Sequence, residues 1–91
     1  MLIGKPTNAE IERTIHRTII ELLERDGKTA EPFDGDADIV ATGLRSLDLA
    51  TLIARLQRAW KVDPFLEAFS ITDIRTVGDL CRAYQKVINA A

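Results

Sequence analysis

Apolar residues in this chain fall into three stretches, each with the spacing of one helix face. Ile11, Ile15, Ile19 and Leu22 recur at intervals of three or four, which places them on a single stripe. Thr7 precedes the run and Glu10 stands three residues later, the order in which each side chain accepts the other's backbone N–H. Gly27 then offers a left-handed stop. A second run starts at Ser46, where Leu49, Leu52, Ile53, Leu56 and Trp60 share a face at 100° per residue. A third has Thr76 as its cap with Asp79 three residues on. Its stripe is Val77, Leu80, Cys81, Tyr84, Val87 and Ile88.

The connections are as informative as the helices. Asp63 before Pro64 is a helix start, because proline is at home in a first turn. Only a short helix fits between it and Ser70. The stretch from Lys28 to Arg45 is long for a compact domain and needs pinning, for which Phe33, Ile39, Val40 and Leu44 are available. No alternating strand pattern and no internal repeat occurs. The expected fold is all-α: a small four-helix bundle of three long helices and one short one, with a long first loop. Residues 1–91 form a single domain in this reading, with 1–6 as a flexible tail.

Bulk properties narrow the function. Nearly half of the 91 residues are apolar, which supports a folded core. Twelve basic residues against fourteen acidic ones leave a net charge of −2, too balanced to imply a nucleic-acid or membrane surface. Cys81 is the only cysteine and cannot form an internal disulfide, as suits a reducing compartment. The first residues lack the apolar stretch of a signal peptide. A cytoplasmic protein is expected, without a membrane span.

Candidate chemistry gathers where the long loop meets the second helix, at Thr42-Gly43-Leu44-Arg45-Ser46-Leu47-Asp48-Leu49. Ser46 stands at a helix start. On spacing alone it is either a plain N-cap or an exposed hydroxyl carrying a phosphate group, which the positive helix end favours. Gly-Leu-x-Ser-Leu-Asp-Leu entering a helix resembles the phosphopantetheine attachment motif of the acyl carrier protein family. Ile74-Arg75-Thr76-Val77-Gly78-Asp79-Leu80 is similar to the start of that family's last helix. The order of helices agrees, from about Ile11 to Ile88.

The resemblance implies that a phosphopantetheinyl transferase esterifies Ser46 with 4'-phosphopantetheine from coenzyme A. The thiol of that arm then carries an acyl or aminoacyl thioester between loading and acceptor enzymes. It implies a stand-alone, monomeric, non-catalytic protein in biosynthesis. The family most often has aspartate before the serine, where this chain has Arg45. That arginine is a possible contact for the phosphate of the arm.

Opposite the core stripe of the second helix, Leu47, Thr51, Ala54 and Arg58 lie within about 60° of one another, bordered by Arg55 and Lys61. From Ser46 to Lys61 three basic residues face one acid, Asp48, leaving +2, or +3 with Arg45. Fatty-acid carrier proteins usually present an acidic second helix instead. Leu47, Thr51, Ala54, Arg55 and Arg58 are the expected docking face, and a partner with an acidic surface fits it. Ile53, Leu56, Ile71, Ile74 and Val77 are candidates to line a cargo cavity.

Other features weigh little. Asp34-Gly-Asp36-Ala-Asp38 begins like a calcium loop, but Ile39 replaces the required glycine and Arg45 the bidentate glutamate. Local Asx turns are expected there instead. His16 lies off the Ile11–Ile19 stripe, on the surface. Cys81 and Trp60 fall on core stripes. One histidine and one mid-helix cysteine build no catalytic dyad or metal site. Two alternatives stand beside the carrier reading. One is an unmodified carrier-like module that only binds a partner. The other is a small nucleic-acid-binding bundle, for which Leu47-Asp48-Leu49 is a poor base-reading start.

Overall fold

The computed structural model describes residues 5–29, 32–67 and 70–90. Residues 1–4, expected as part of a tail, lie outside them. Four helices follow in order: α1 over Asn8–Arg25, α2 over Ser46–Trp60, α3 over Pro64–Glu67 and α4 over Val77–Ala90. Short 3₁₀ turns occupy Val40–Thr42 and Ile71–Asp73. The bundle is all-α, with no strand among the described residues.

Local chemistry sets the helix ends. Thr7 and Glu10 form the reciprocal capping pair, at 3.1 and 2.9 Å. α1 closes at Asp26, and Gly27 takes the left-handed conformation with φ 79°. The α3 start is fixed by Asp63, whose carboxylate accepts the Phe65 N–H at 3.0 Å. At α4, Thr76 accepts the Asp79 N–H at 3.0 Å, while Asp79 accepts from both Thr76 and Arg75. Those two backbone donors and the Arg82 guanidinium lower the Asp79 pKa from 3.8 to about 2.

The predicted stripes meet in one core. Ile11, Ile15, Ile19, Leu22 and Leu23 of α1 pack with Leu52 and Leu56 of α2 and with Val77, Leu80, Tyr84 and Ile88 of α4. Leu49, Ile53 and Val87 are half-buried. Trp60, also half-buried, tilts against Tyr84 at 5.4 Å. Burial pushes the Cys81 thiol up to about 11, so it is a packed apolar group rather than a nucleophile. The Tyr84 hydroxyl is buried without a hydrogen-bond partner.

The long first loop is held more by its backbone than by its apolar side chains. Ile39 N–H donates to Arg75, Val77 N–H to Ala37 and Gly78 N–H to Gly35, at 2.9, 2.9 and 2.8 Å. This makes a narrow antiparallel strap between the loop and the start of α4, bridged at Asp38 and Thr76. Gly35 and Gly78 come so close that a Cβ on Gly78 would lie 2.9 Å from the Gly35 carbonyl oxygen. Ile39 and Leu44 are buried, as expected of pins.

Two expectations are corrected. Val40 is 77% exposed, because the 3₁₀ turn that places Ile39 inward rotates its neighbour outward. His16 is not a bare surface residue: it is half-buried and stacks on Phe33, with ring centres 4.0 Å apart and planes 6° from parallel. The acidic loop forms Asx turns, Asp34 accepting from Asp36 N–H and Asp38 from Val40 N–H.

Two outcomes follow from this packing. Leu56→Ala, at a buried centre of the core, should cost about 2–5 kcal/mol. Leu47→Ala, at a position 75% exposed, should stay within about 0.5 kcal/mol of wild type in chemical denaturation. Equal losses would show that α2 is rotated differently. Asp79 has its pKa depressed on folding, so its stabilisation is complete above about 4 and is lost as pH falls toward 2. Asp79→Asn should therefore flatten the fall in melting temperature between those pH values. Parallel profiles for the two proteins would contradict the assignment.

Candidate functional site

α2 begins in an unusual electrostatic setting. The first helical hydrogen bond runs from Leu49 N–H to the Arg45 carbonyl, at 2.9 Å. The N–H groups of Ser46, Leu47 and Asp48 therefore precede the ladder, as at any helix start. Arg45 is the cap residue, in extended conformation. Its own N–H donates to the Asp48 carboxylate at 3.1 Å. Ser46 is the first helical residue rather than the cap, and its exposed hydroxyl takes no part in capping. The cap reading of Ser46 is thus corrected: Arg45 holds the cap position, and Asp48 accepts its backbone N–H.

Asp48 is buried, at 2% exposure, and does not belong to the outward face where it was expected to offset the basic residues. It points toward the end of α1. Its pKa is lowered, first by the Arg45 backbone N–H, against the opposing cost of burial. The Arg45 charge lowers it further. Arg45 places Nε 3.6 Å from Asp48 and a terminal nitrogen 3.6 Å from Asp26. Arg25 reaches Asp48 at 3.9 Å. The α1–α2 junction under Ser46 is therefore a cluster of two carboxylates and two guanidiniums.

The outward face of α2 is partly as expected. Leu47, Ala54 and Arg58 are exposed, and Thr51 is half-buried with its hydroxyl on the Leu47 carbonyl at 3.0 Å. Arg55 is exposed but turns toward α1, pairing with Glu21 at 3.8 Å. Arg58 and Lys61 form no ion pair among the described residues, and with Ala54 and Gln57 they border a shallow groove. Of the expected cavity-lining residues, Leu56 and Val77 are core, and Ile53 and Ile74 are half-buried. The side chain of Ile71 lies outside the described residues.

Sequence reading missed Asp26, since nothing in helical spacing links the end of α1 to the start of α2. A carboxylate directly after a helix, where the dipole is negative, is an irregularity that marks it in retrospect. It also missed Val40, which lies exposed in the turn leading to Ser46.

The site fits a phosphate-linked group. An unbonded, exposed hydroxyl stands at a helix start with three free N–H groups and a guanidinium one residue away. The family described as the phosphopantetheine attachment site matches residues 13–84. Among solved structures, the chain is similar to the solution structure of MacpD, an acyl carrier protein from Pseudomonas fluorescens involved in mupirocin biosynthesis. The identity is 38% and the TM-score 0.76, covering 85% of this chain and 69% of that one. Comparison with curated protein sequences gives no match.

Because the Ser46 hydroxyl caps nothing, Ser46→Ala should melt within about 0.5 kcal/mol of wild type. A loss of about 1 kcal/mol or more, as for a removed N-cap, would contradict this geometry.

Proposed function

This chain belongs to the acyl carrier protein family, whose members carry a covalent 4'-phosphopantetheine, and on that premise we propose that Ser46 is its attachment residue. As a carrier in biosynthesis it is not an enzyme, and it serves a modifying transferase and the biosynthetic enzymes that load and unload it. The observation that supports Ser46 is its exposed, unbonded hydroxyl at the first position of α2. Its oxygen attacks the pantetheine-side phosphorus of the coenzyme A pyrophosphate without disturbing any native bond. The new P–O bond forms as the bridging P–O bond breaks, adenosine 3',5'-bisphosphate leaves, and the hydroxyl proton is given up to a base of the transferase or to water. The resulting diester sits at the positive end of the helix, beside free N–H groups. Bound there, the arm supplies a thiol that holds cargo as a thioester. The protein's own residues orient the ester oxygen, and Arg45 offers a charged donor to the diester.

The docking face in this proposal runs along α2 from Leu47 through Thr51 and Ala54 to Arg58, with Lys61 at its end. Leu47, exposed and directly after Ser46, gives it an apolar end. Arg58 lies about 16 Å further along the axis at 1.5 Å per residue. A partner with an apolar socket near its active site and acidic residues about that far away is complementary. Arg55 contributes less than the helical wheel suggested, because Glu21 offsets it. We further read the chain as a stand-alone cytoplasmic monomer carrying an acyl or aminoacyl group. The lone buried cysteine suits a reducing compartment, and no described helix is long and apolar enough to cross a membrane.

Incubation with coenzyme A and broad-specificity transferases, followed by intact mass, tests the attachment. Wild type should gain one phosphopantetheine and Ser46→Ala none; a modified Ser46→Ala protein would contradict the assignment. For docking, Arg58→Glu with Lys61→Glu should slow loading by the cognate enzyme on the order of tenfold at low salt. The difference should shrink toward 1 M salt, where the screening length is about 3 Å. Equal loading rates at low salt would remove charge from the docking account.

A further inference from the structure

The cluster beneath Ser46 holds more than a cap requires. Asp26 occupies the C-cap position of α1, where backbone carbonyls make a negative charge unfavourable. Its Oδ2 is buried and accepts no hydrogen bond. The group facing that oxygen is the Arg45 guanidinium, at 3.6 Å. Asp48 is supported differently. It accepts the Arg45 N–H at 3.1 Å, lies in the first turn of α2 and has Arg25 at 3.9 Å. Both side-chain contacts of Arg45 are ion pairs beyond hydrogen-bond length. Its side chain is 67% exposed, leaving donors free.

A diester on Ser46 would introduce a third anion next to this same cation. Phosphate oxygens accept bidentate Arg bonds that compete with an ion pair at 3.6 Å. Asp48 keeps its backbone donor and Arg25 whatever Arg45 does, whereas Asp26 has no such reserve.

We propose that Arg45 is a cation exchanged between Asp26 and the phosphodiester of the arm, with Asp26 as the positioning residue that holds it in the unmodified protein. The inference rests on Ser46 being the attachment residue. Without the arm, Arg45 lies across the α1–α2 junction against Asp26. With the arm, it is shared between the diester and Asp26, so the Asp26 carboxylate is uncovered for part of the time. The two forms thereby present different charge beside Ser46. A transferase that must select the unmodified chain, and loading enzymes that must select the modified one, are given a feature to read. Arginine at the position before the serine follows from this role: an acid there would set a third carboxylate beside Asp26 and Asp48.

Wild type, Asp26→Asn, Arg45→Gln and, as a control, Arg55→Gln are each converted with coenzyme A and a broad-specificity transferase, and the masses recorded. The ³¹P shift of the diester is then measured for all four at neutral pH and low salt. The Arg45 Nε–Hε resonance is followed in wild type before and after modification. Wild type should fall between Arg45→Gln, where the contact is absent, and Asp26→Asn, where the competitor is neutralised. Arg55→Gln should coincide with wild type, and the Arg45 resonance should move on modification. A diester shift unchanged in Asp26→Asn, or displaced toward that of Arg45→Gln, overturns the exchange. So does an unmoved Arg45 resonance. Those failures leave the carrier reading intact, because the arm is then present by mass. A wild-type chain that never gains the arm overturns that reading and this inference together.

Discussion

The Asp48 carboxylate holds the start of α2 in place, and the position of Ser46 depends on it. Buried at the junction with α1, it accepts the Arg45 N–H and so stops the helix one residue before Ser46. A buried carboxylate is costly unless charge and hydrogen bonds compensate it. Here the compensation comes from a backbone donor, two arginines and a helix N-terminus. Because Arg45 holds the cap position and Ser46 is the first helical residue, the serine hydroxyl is free. A serine that capped its own helix would have its oxygen committed to a backbone N–H and turned away from an incoming phosphorus.

The second constraint is the strap between the first loop and the start of α4. Three backbone bonds and the Gly35–Gly78 approach fix the loop without a large apolar plug. That economy matters in a small domain, where core volume is scarce. It also explains the outward Val40. Once the backbone carries the pairing, Ile39 and Leu44 are the buried pins of the loop, and Val40 is released to the surface.

Much of this was legible in the sequence because it depends on local rules. The capping pair at Thr7 and Glu10, the left-handed Gly27, the Thr76–Asp79 cap and all three core stripes follow from spacing and backbone stereochemistry. The family was legible through the motif around Ser46. What escaped were non-local pairings. The stacking of His16 on Phe33, the turn of Arg55 toward Glu21 and the meeting of Asp26 with Arg45 each join residues distant in the chain. Counting charge along α2 set Asp48 against the outward arginines, and only the packing of α2 on α1 decides that it goes inward.

The central claim is that this chain works through a covalent arm on one serine. The most direct measurement is fragmentation mass spectrometry of the intact protein purified from its native host. The account predicts that the added phosphopantetheine, with or without cargo on its thiol, maps to the fragment containing Ser46 and to no other. An unmodified chain, or an arm localised to a different residue, would contradict it.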